Sequence, residues 1–184
     1  PLSSLPSQKI GDVKKFLNLL HKYGIDHWQV LPLSPPDAFG SPYASNSAFA
    51  AWEEWIEGYQ DVGTYEQWMT DWGYYSAIQS VHNNQEWFHW PKNLKNKEKD
   101  AMKPYTELAD SYMLKQQKFN AYWSEIRNHA SSLGISLIGD LPMYVTHDSC
   151  DVWSNRELFL LNPKGQVELV AGVPPDYFSK KGQR

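Results

Sequence analysis

The chain has 184 residues, 41% of them hydrophobic and 21% charged, with a formal net charge of −4, enough for one domain with a sizeable core. The basic residues are dispersed apart from a cluster at Lys92 to Lys103, so no basic stripe is present to bind nucleic acid. No stretch approaches the ~20 apolar residues of a membrane span, and the single cysteine, Cys150, excludes an internal disulfide framework.

Residues 1 to 11 are rich in Ser and Pro and carry no signal-peptide pattern. With the lone cysteine, this leads to the expectation of a soluble, cytoplasmic protein. Asp12 is placed as the N-cap of a helix carrying Val13, Phe16, Leu17 and Leu20 at helical spacing. Gly24 sits where a C-cap is expected, and Ile25 to Leu33 reads as a strand. Ser34 to Ser47 is a loop dense in Pro, Gly and Ser. Ala48 to Tyr59 reads as a short helix, and a second helix runs from about Tyr65 to Val81 with Trp68, Trp72 and Tyr75 on one face. Asn83 to Pro104 is polar and reads as a surface excursion. A long helix covers Thr106 to Ala130, with a stripe of Leu108, Tyr112, the Lys115 stem, Phe119, Tyr122 and Ile126. Gly134 ends it, and a strand follows from Ile135.

Each strand thus follows a helix and is a near-continuous apolar run, which predicts a parallel sheet buried on both faces. A crossover needs only about a dozen residues, so the hundred-residue connection implies an inserted helical subdomain. Tryptophan, tyrosine and phenylalanine make up 15% of the chain. Many of them must be core, and the excess fits a surface that stacks on sugars, bases or peptides.

Asp140 ends the second strand run, where a carboxylate either serves a site at the sheet's C-terminal edge or caps the next helix. The loop Gly40-Ser41-Pro42-Tyr43 holds a hydroxyl and a ring near that same edge, or is a plain surface turn. His147-Asp148 either meets substrate or starts the next helix with Asp148 as N-cap, the second being favoured. Cys150 has no base at motif spacing and reads as a buried thiol. Pro174-Pro175-Asp176-Tyr177-Phe178 joins two stiff residues to a carboxylate and two rings, a combination suited to gripping sugar, but taken alone the segment reads as a strand edge with core aromatics. The histidine pairs His21/His27 and His82/His89 lack further ligands at metal-site spacing. No phosphate-binding glycine loop is present.

An ordered set of motifs spans nearly the whole chain. It comprises Ser3-Ser4-Leu5-Pro6, Ile10-Gly11-Asp12, Trp28-Gln29-Val30-Leu31-Pro32-Leu33, Ser41-Pro42-Tyr43, Ser47-Ala48-Phe49-Ala50, Ile138-Gly139-Asp140-Leu141-Pro142-Met143-Tyr144-Val145, His147-Asp148-Ser149, Asp151-Val152-Trp153 and Val170 to Ser179. This set resembles the amylomaltases, the 4-α-glucanotransferases of glycoside hydrolase family 77. The resemblance implies an α/β fold, part of an α-amylase-like (β/α)₈ TIM barrel. Residues 1–184 would be the N-terminal part of one catalytic domain, the region of strands one to three, with a helical insertion at about 50–105.

It also implies retaining transfer of an α-1,4-glucan segment between maltooligosaccharides, with no cofactor and no metal. Substrate-binding roles fall on Ser41, Tyr43, Asp140, Asp176, Tyr177 and Phe178. The family's nucleophile, acid/base and stabilising carboxylates come from strands four, five and seven, so no residue here is assigned as catalytic. The chain by itself is expected to be inactive and to need the remainder of the barrel as a partner. The stretch after Ala50 is shorter than the family pattern, and beyond Arg184 that pattern continues with an aromatic and a Gly-Asn-Pro turn. The rival expectation is a non-catalytic glucan-binding protein derived from the same fold.

Overall fold

A computed structural model describes Leu5, residues 7–142 and 144–169, and Gly172, Pro174, Pro175, Tyr177 and Lys180. Helix α1 (Ile10–Lys22) starts ahead of Asp12, with Lys9 in the N-cap position and no side-chain cap. Asp12 therefore does not cap the helix. It sits in the first turn, where a carboxylate meets the positive end of the helix dipole, and pairs with Lys15 at 2.9 Å.

The chain leaves α1 and the long helix α5 (Thr106–Ser132) in the same way. Gly24 and Gly134 adopt φ of +70° and +71°, a left-handed conformation that glycine takes without steric cost. Ile25 N–H then donates to Leu20 O at 3.0 Å, and Ile135 N–H donates to Ala130 O at 2.9 Å. These are Schellman closures, and each aims the chain into a strand. Strand β1 (His27–Gln29) pairs in parallel with β2 (Ser136–Ile138), with Trp28 opposite Leu137. Bonds from Ser136 N–H to Asp26 O (2.8 Å) and from Val30 N–H to Ile138 O (2.9 Å) extend the ladder at both ends.

The parallel pairing agrees with the sequence reading; burial on both faces does not. Trp28, Val30 and Ile135 join a core with Val13 and Leu17 of α1 and with Phe119, Tyr122, Ile126 and Ala130 of α5. His27, Gln29, Ser136 and Ile138 are exposed. The two helices cover one face only, so the alternation of the strand puts every second side chain outside.

The segment Ala48 to Tyr59 is not an α-helix. It holds a single 3₁₀ turn at Glu53–Ile56. The reason lies on α5: buried Gln116 accepts from Ala51 N–H (2.9 Å) and donates to Ala51 O (3.0 Å). Trp52 N–H is committed to Leu33 O at 2.9 Å. Backbone groups bound in this way are withdrawn from helical hydrogen bonding, and local propensity gives way.

The excursion at 83–104 is not a surface feature either. Helices α2 (Trp68–Val81), α3 (Lys92–Lys95) and α4 (Lys99–Met102) enclose a second core. Trp87, Trp90, Leu94 and Met102 pack there with Trp72, Tyr75, Ile78, Val152 and Trp153. Six of the nine tryptophans are buried, so most of the indole excess is structural. Trp87 and Trp90 place their Nε1–H on His147 O and Gln85 O, at 2.7 and 2.8 Å.

Helices α2 and α5 approach closely at Gly73. A Cβ there would stand 2.7 Å from Ala109 O and 2.8 Å from Met113 Cγ. The carbonyl belongs to a helix backbone and cannot yield as a side chain does. Gly73→Ala is expected to destabilise the fold by about 1–3 kcal/mol, although alanine favours helix elsewhere. Urea denaturation measures this, and an unchanged midpoint would contradict the close crossing.

Candidate functional site

The loop after β1 is shaped by Asp37, whose Oδ1 accepts from Phe39 N–H (2.9 Å) and Ser41 N–H (2.8 Å). Asp37 N–H in turn donates to Ser41 O at 3.0 Å. Pro42–Ala44 then forms one 3₁₀ turn, with the fixed φ of proline at its start. Three bonds fasten the rest of this loop to the chain beyond β2. Thr146 Oγ1 donates to Ser45 O (3.1 Å), Cys150 N–H to Asn46 O (2.8 Å), and Ala48 N–H to Asp151 Oδ2 (3.0 Å).

The loop so fixed brings Tyr43 to Asp140. The phenol donates to Asp140 Oδ2 at 2.6 Å, joining residues 97 positions apart. Asp140 is half-buried just past the end of β2, at the carboxyl ends of the two parallel strands, the edge where open α/β sheets bind their ligands. It does not cap the following helix. Helix α6 (Cys150–Ser154) is capped by Ser149, whose hydroxyl accepts from Val152 N–H at 3.2 Å.

The bond to the Asp140 carboxylate, with burial second and its negative charge third, raises the Tyr43 phenol above its ordinary range. A raised phenol favours the neutral, donating form. Its contribution is therefore complete below the unfolded phenol pKa of about 10 and is lost as pH rises through the higher folded value. Ultraviolet titration of the phenols should show one late-ionising group disappear in Tyr43→Phe, and an identical curve would count against the bond.

Ser41 is half-buried on the same loop as Tyr43. Tyr177 is exposed. Asp176 and Phe178 lie outside the described residues.

His147 and Asp148 take roles other than those expected. Asp148 is not the N-cap, which is Ser149. Its carboxylate accepts from Tyr75 OH (3.0 Å), Trp87 N–H (3.0 Å) and Gln79 Nε2 (3.2 Å). His147 stacks on Phe88 with centroids 4.4 Å apart, and its Nε2 lies 2.8 Å from Gly165 O. The pair clamps the second core onto the chain leaving β2. Cys150 is buried, and burial pushes its thiol well above the ordinary range, the opposite of an activated nucleophile. Among the described residues no cluster of three or more His, Cys, Asp or Glu converges on a metal position, and no helix is long and apolar enough to cross a membrane.

Sequence reasoning missed Asp37, Gln116 and the clamp at Asp148. Asp37 had a local signal, an Asp three residues before Gly40 in a Pro-rich turn. Gln116 had none, since its partner lies 65 residues away.

The fold and site define a mixed α/β protein with a carboxylate–phenol pair at the carboxyl ends of parallel strands. The family model described as 4-alpha-glucanotransferase matches residues 1–61 and 59–184. The chain is 31% identical to the chloroplastic/amyloplastic 4-alpha-glucanotransferase DPE1 of Arabidopsis thaliana, over 100% of this chain and 43% of that protein. It is 34% identical to the 4-alpha-glucanotransferase of Aquifex aeolicus, over 99% of this chain and 50% of that one. Its structure is similar to the amylomaltase from Streptococcus agalactiae in complex with acarbose. The TM-score is 0.83 at 27% identity, covering 94% of this chain and 47% of that one.

The chain belongs to the 4-alpha-glucanotransferase family. It spans about half the length of the relatives it matches. The Arabidopsis alignment runs over 247 positions against 184 residues here, so at least 63 positions have no counterpart in this chain. The two matched segments meet at 59–61, shortly after the 3₁₀ turn.

Proposed function

We propose that the whole protein is a 4-α-glucanotransferase acting on maltooligosaccharides and α-1,4-glucans, and that this chain supplies part of its substrate cleft. The observation that carries the reading is the Tyr43–Asp140 pair at the strand ends. A carboxylate accepts hydrogen bonds from sugar hydroxyls, and an adjacent ring presents an apolar face to the sugar's C–H groups. The Tyr43 hydroxyl orients the carboxylate before any ligand arrives, so less ordering remains to be done on binding.

In this reading β1 and β2 are strands two and three of a (β/α)₈ barrel, and residues at about 50–105 are the helical insertion between them. The rest of the barrel closes the sheet over its exposed edges and brings the nucleophile and acid/base, roughly 5 Å apart in retaining chemistry. Ser41 is a polar neighbour of the bound sugar. Asp176, Tyr177 and Phe178 form a cover over the acceptor side, favouring a sugar hydroxyl over water as the attacking group. The lone buried thiol suits a reducing compartment, and we place the protein in the cytoplasm.

Titration of the purified chain with maltoheptaose, followed by tryptophan fluorescence, tests the cleft. Asp140→Asn and Tyr43→Ala are each expected to weaken binding about tenfold or more, the loss of a hydrogen bond to a charged group. Unchanged affinity in both variants would remove Tyr43 and Asp140 from the site. In the whole protein, Asp140→Asn should slow the conversion of maltotriose to glucose and longer maltodextrins by a similar factor.

A further inference from the structure

The tip of the loop after β1 has no packing to give it shape. Ala38, Phe39 and Gly40 are all exposed, Phe39 to 96%, so burial holds none of them in place. The bonds that do hold them converge on one residue. Asp37 Oδ1 accepts from the amides of Phe39 and Ser41. Its carbonyl accepts from Gly40 N–H at 3.0 Å, and its own N–H donates to Ser41 O at 3.0 Å. We propose that Asp37 is a positioning residue for substrate, holding the loop in the form that presents Tyr43 to Asp140 and Ser41 to a bound glucan. The inference rests on the reading of the strand ends as a glucan cleft.

The path from Asp37 to the ring is short. Ser41 is bonded through both its amide and its carbonyl. Pro42 fixes the next φ, and Tyr43 follows within the 3₁₀ turn. On the far side, Ser45 O and Asn46 O are fastened to Thr146 Oγ1 and Cys150 N–H. Tyr43 therefore hangs between two anchors, and Asp37 makes the one that is built from within the loop.

Removing the carboxylate releases residues 38–41 into a wider set of backbone states, because holding a residue in one state costs conformational entropy. Only a fraction of molecules then carries the ring where Asp140 can accept from it, and apparent affinity falls by that fraction. The requirement is for an acceptor rather than a charge. Both amides fall on Oδ1, and the oxygen of an asparagine amide has two lone pairs as well. Asparagine therefore serves where alanine does not. Gly40 gives an independent handle on the same loop. It adopts φ of +83°, and a Cβ there would meet open space. Gly40→Ala thus strains the loop through its backbone alone.

The test reads Tyr43 before it reads sugar. In the purified chain carrying ¹³C-labelled tyrosine, the Tyr43 resonance is the one missing from Tyr43→Phe, and NMR follows its ionisation. Asp37→Ala and Gly40→Ala should bring Tyr43 down toward the ordinary phenol value of about 10, while Asp37→Asn keeps it raised. Maltoheptaose titration by tryptophan fluorescence should then show affinity about fivefold lower in Asp37→Ala, the mark of a loop competent about one-fifth of the time. Asp37→Asn should restore most of it. Gly40→Ala decides the matter if Asp37→Ala proves unstable.

A purely structural Asp37 would move the urea midpoint and leave the ionisation of Tyr43 where it was, and that result overturns the inference. So does an Asp37→Asn variant as impaired as the alanine one. If Tyr43→Ala weakens maltoheptaose binding and Asp37→Ala does not, the positioning role fails and the cleft stands. If neither weakens it, the cleft reading fails, and the role of Asp37 toward substrate falls with it.

Discussion

Asp148→Ala is expected to lower the free energy of unfolding by about 2–4 kcal/mol, since it strands two donors at about 1–3 kcal/mol each. Tyr75 is fully buried. Burial, and then the charge of Asp148, raises its phenol far above the ordinary range, so it stays a neutral donor. Without the carboxylate that hydroxyl keeps only the bond it accepts from Gln79 Nε2 at 3.2 Å, and Trp87 N–H loses its acceptor. The damage reaches three parts of the chain at once: α2, the turn at Trp87 and the exit from β2. Asp148→Asn should recover part of the loss. Its amide oxygen still accepts from Tyr75 and Trp87, but its nitrogen faces the Gln79 donor. Urea unfolding of both variants measures the difference. A loss below about 1 kcal/mol for the alanine variant would show that water replaces the carboxylate without cost.

Gln116→Leu is the second large effect, about 2–4 kcal/mol on the same reasoning. The volume is nearly conserved, so packing changes little, but Ala51 N–H and O both lose their partner in a position only 4% exposed. The outcome has a site-specific readout. Hydrogen exchange at the Ala51 amide should accelerate well beyond what the drop in global stability accounts for. If Ala51 stays as protected as before, the amide is not what holds residues 51 and 52 extended.

These two side chains also show why part of the fold was hidden in the sequence. Gly24 and Gly134 were legible because a helix stop followed by an apolar run has local meaning, and both stops close as that pattern requires. The strand pair and the helices at α1, α2 and α5 followed from periodicity. Gln116 and Asp148 act through bonds across 61 to 73 residues, and no period or spacing encodes such a partner. Ala48 to Tyr59 had helical composition, and the Gln116 contact overrode it. Trp87 and Trp90 were masked by the polar residues around them, since averaged polarity conceals individual side chains that turn inward. At the strand ends, Tyr43 and Asp140 were each legible as chemistry beside a sheet edge. Their meeting was not, because it depends on the bonds that tie residues 45–48 to residues 146–151.

The parallel partnership of β1 and β2 has a further consequence, for synthesis. The paired residues lie more than a hundred positions apart, and ribosomes add about 5–20 residues per second. Strand β1 therefore emerges roughly 5 to 20 seconds before the segment it must pair with. Through that interval Trp28 and Val30 have no α5 to pack against, and the nascent chain displays an apolar ribbon with open hydrogen-bonding edges. Such a chain is a natural client for a chaperone acting at the ribosome exit. Slowing translation across the α2–α5 region should lengthen that period of dependence, while the finished fold stays the same.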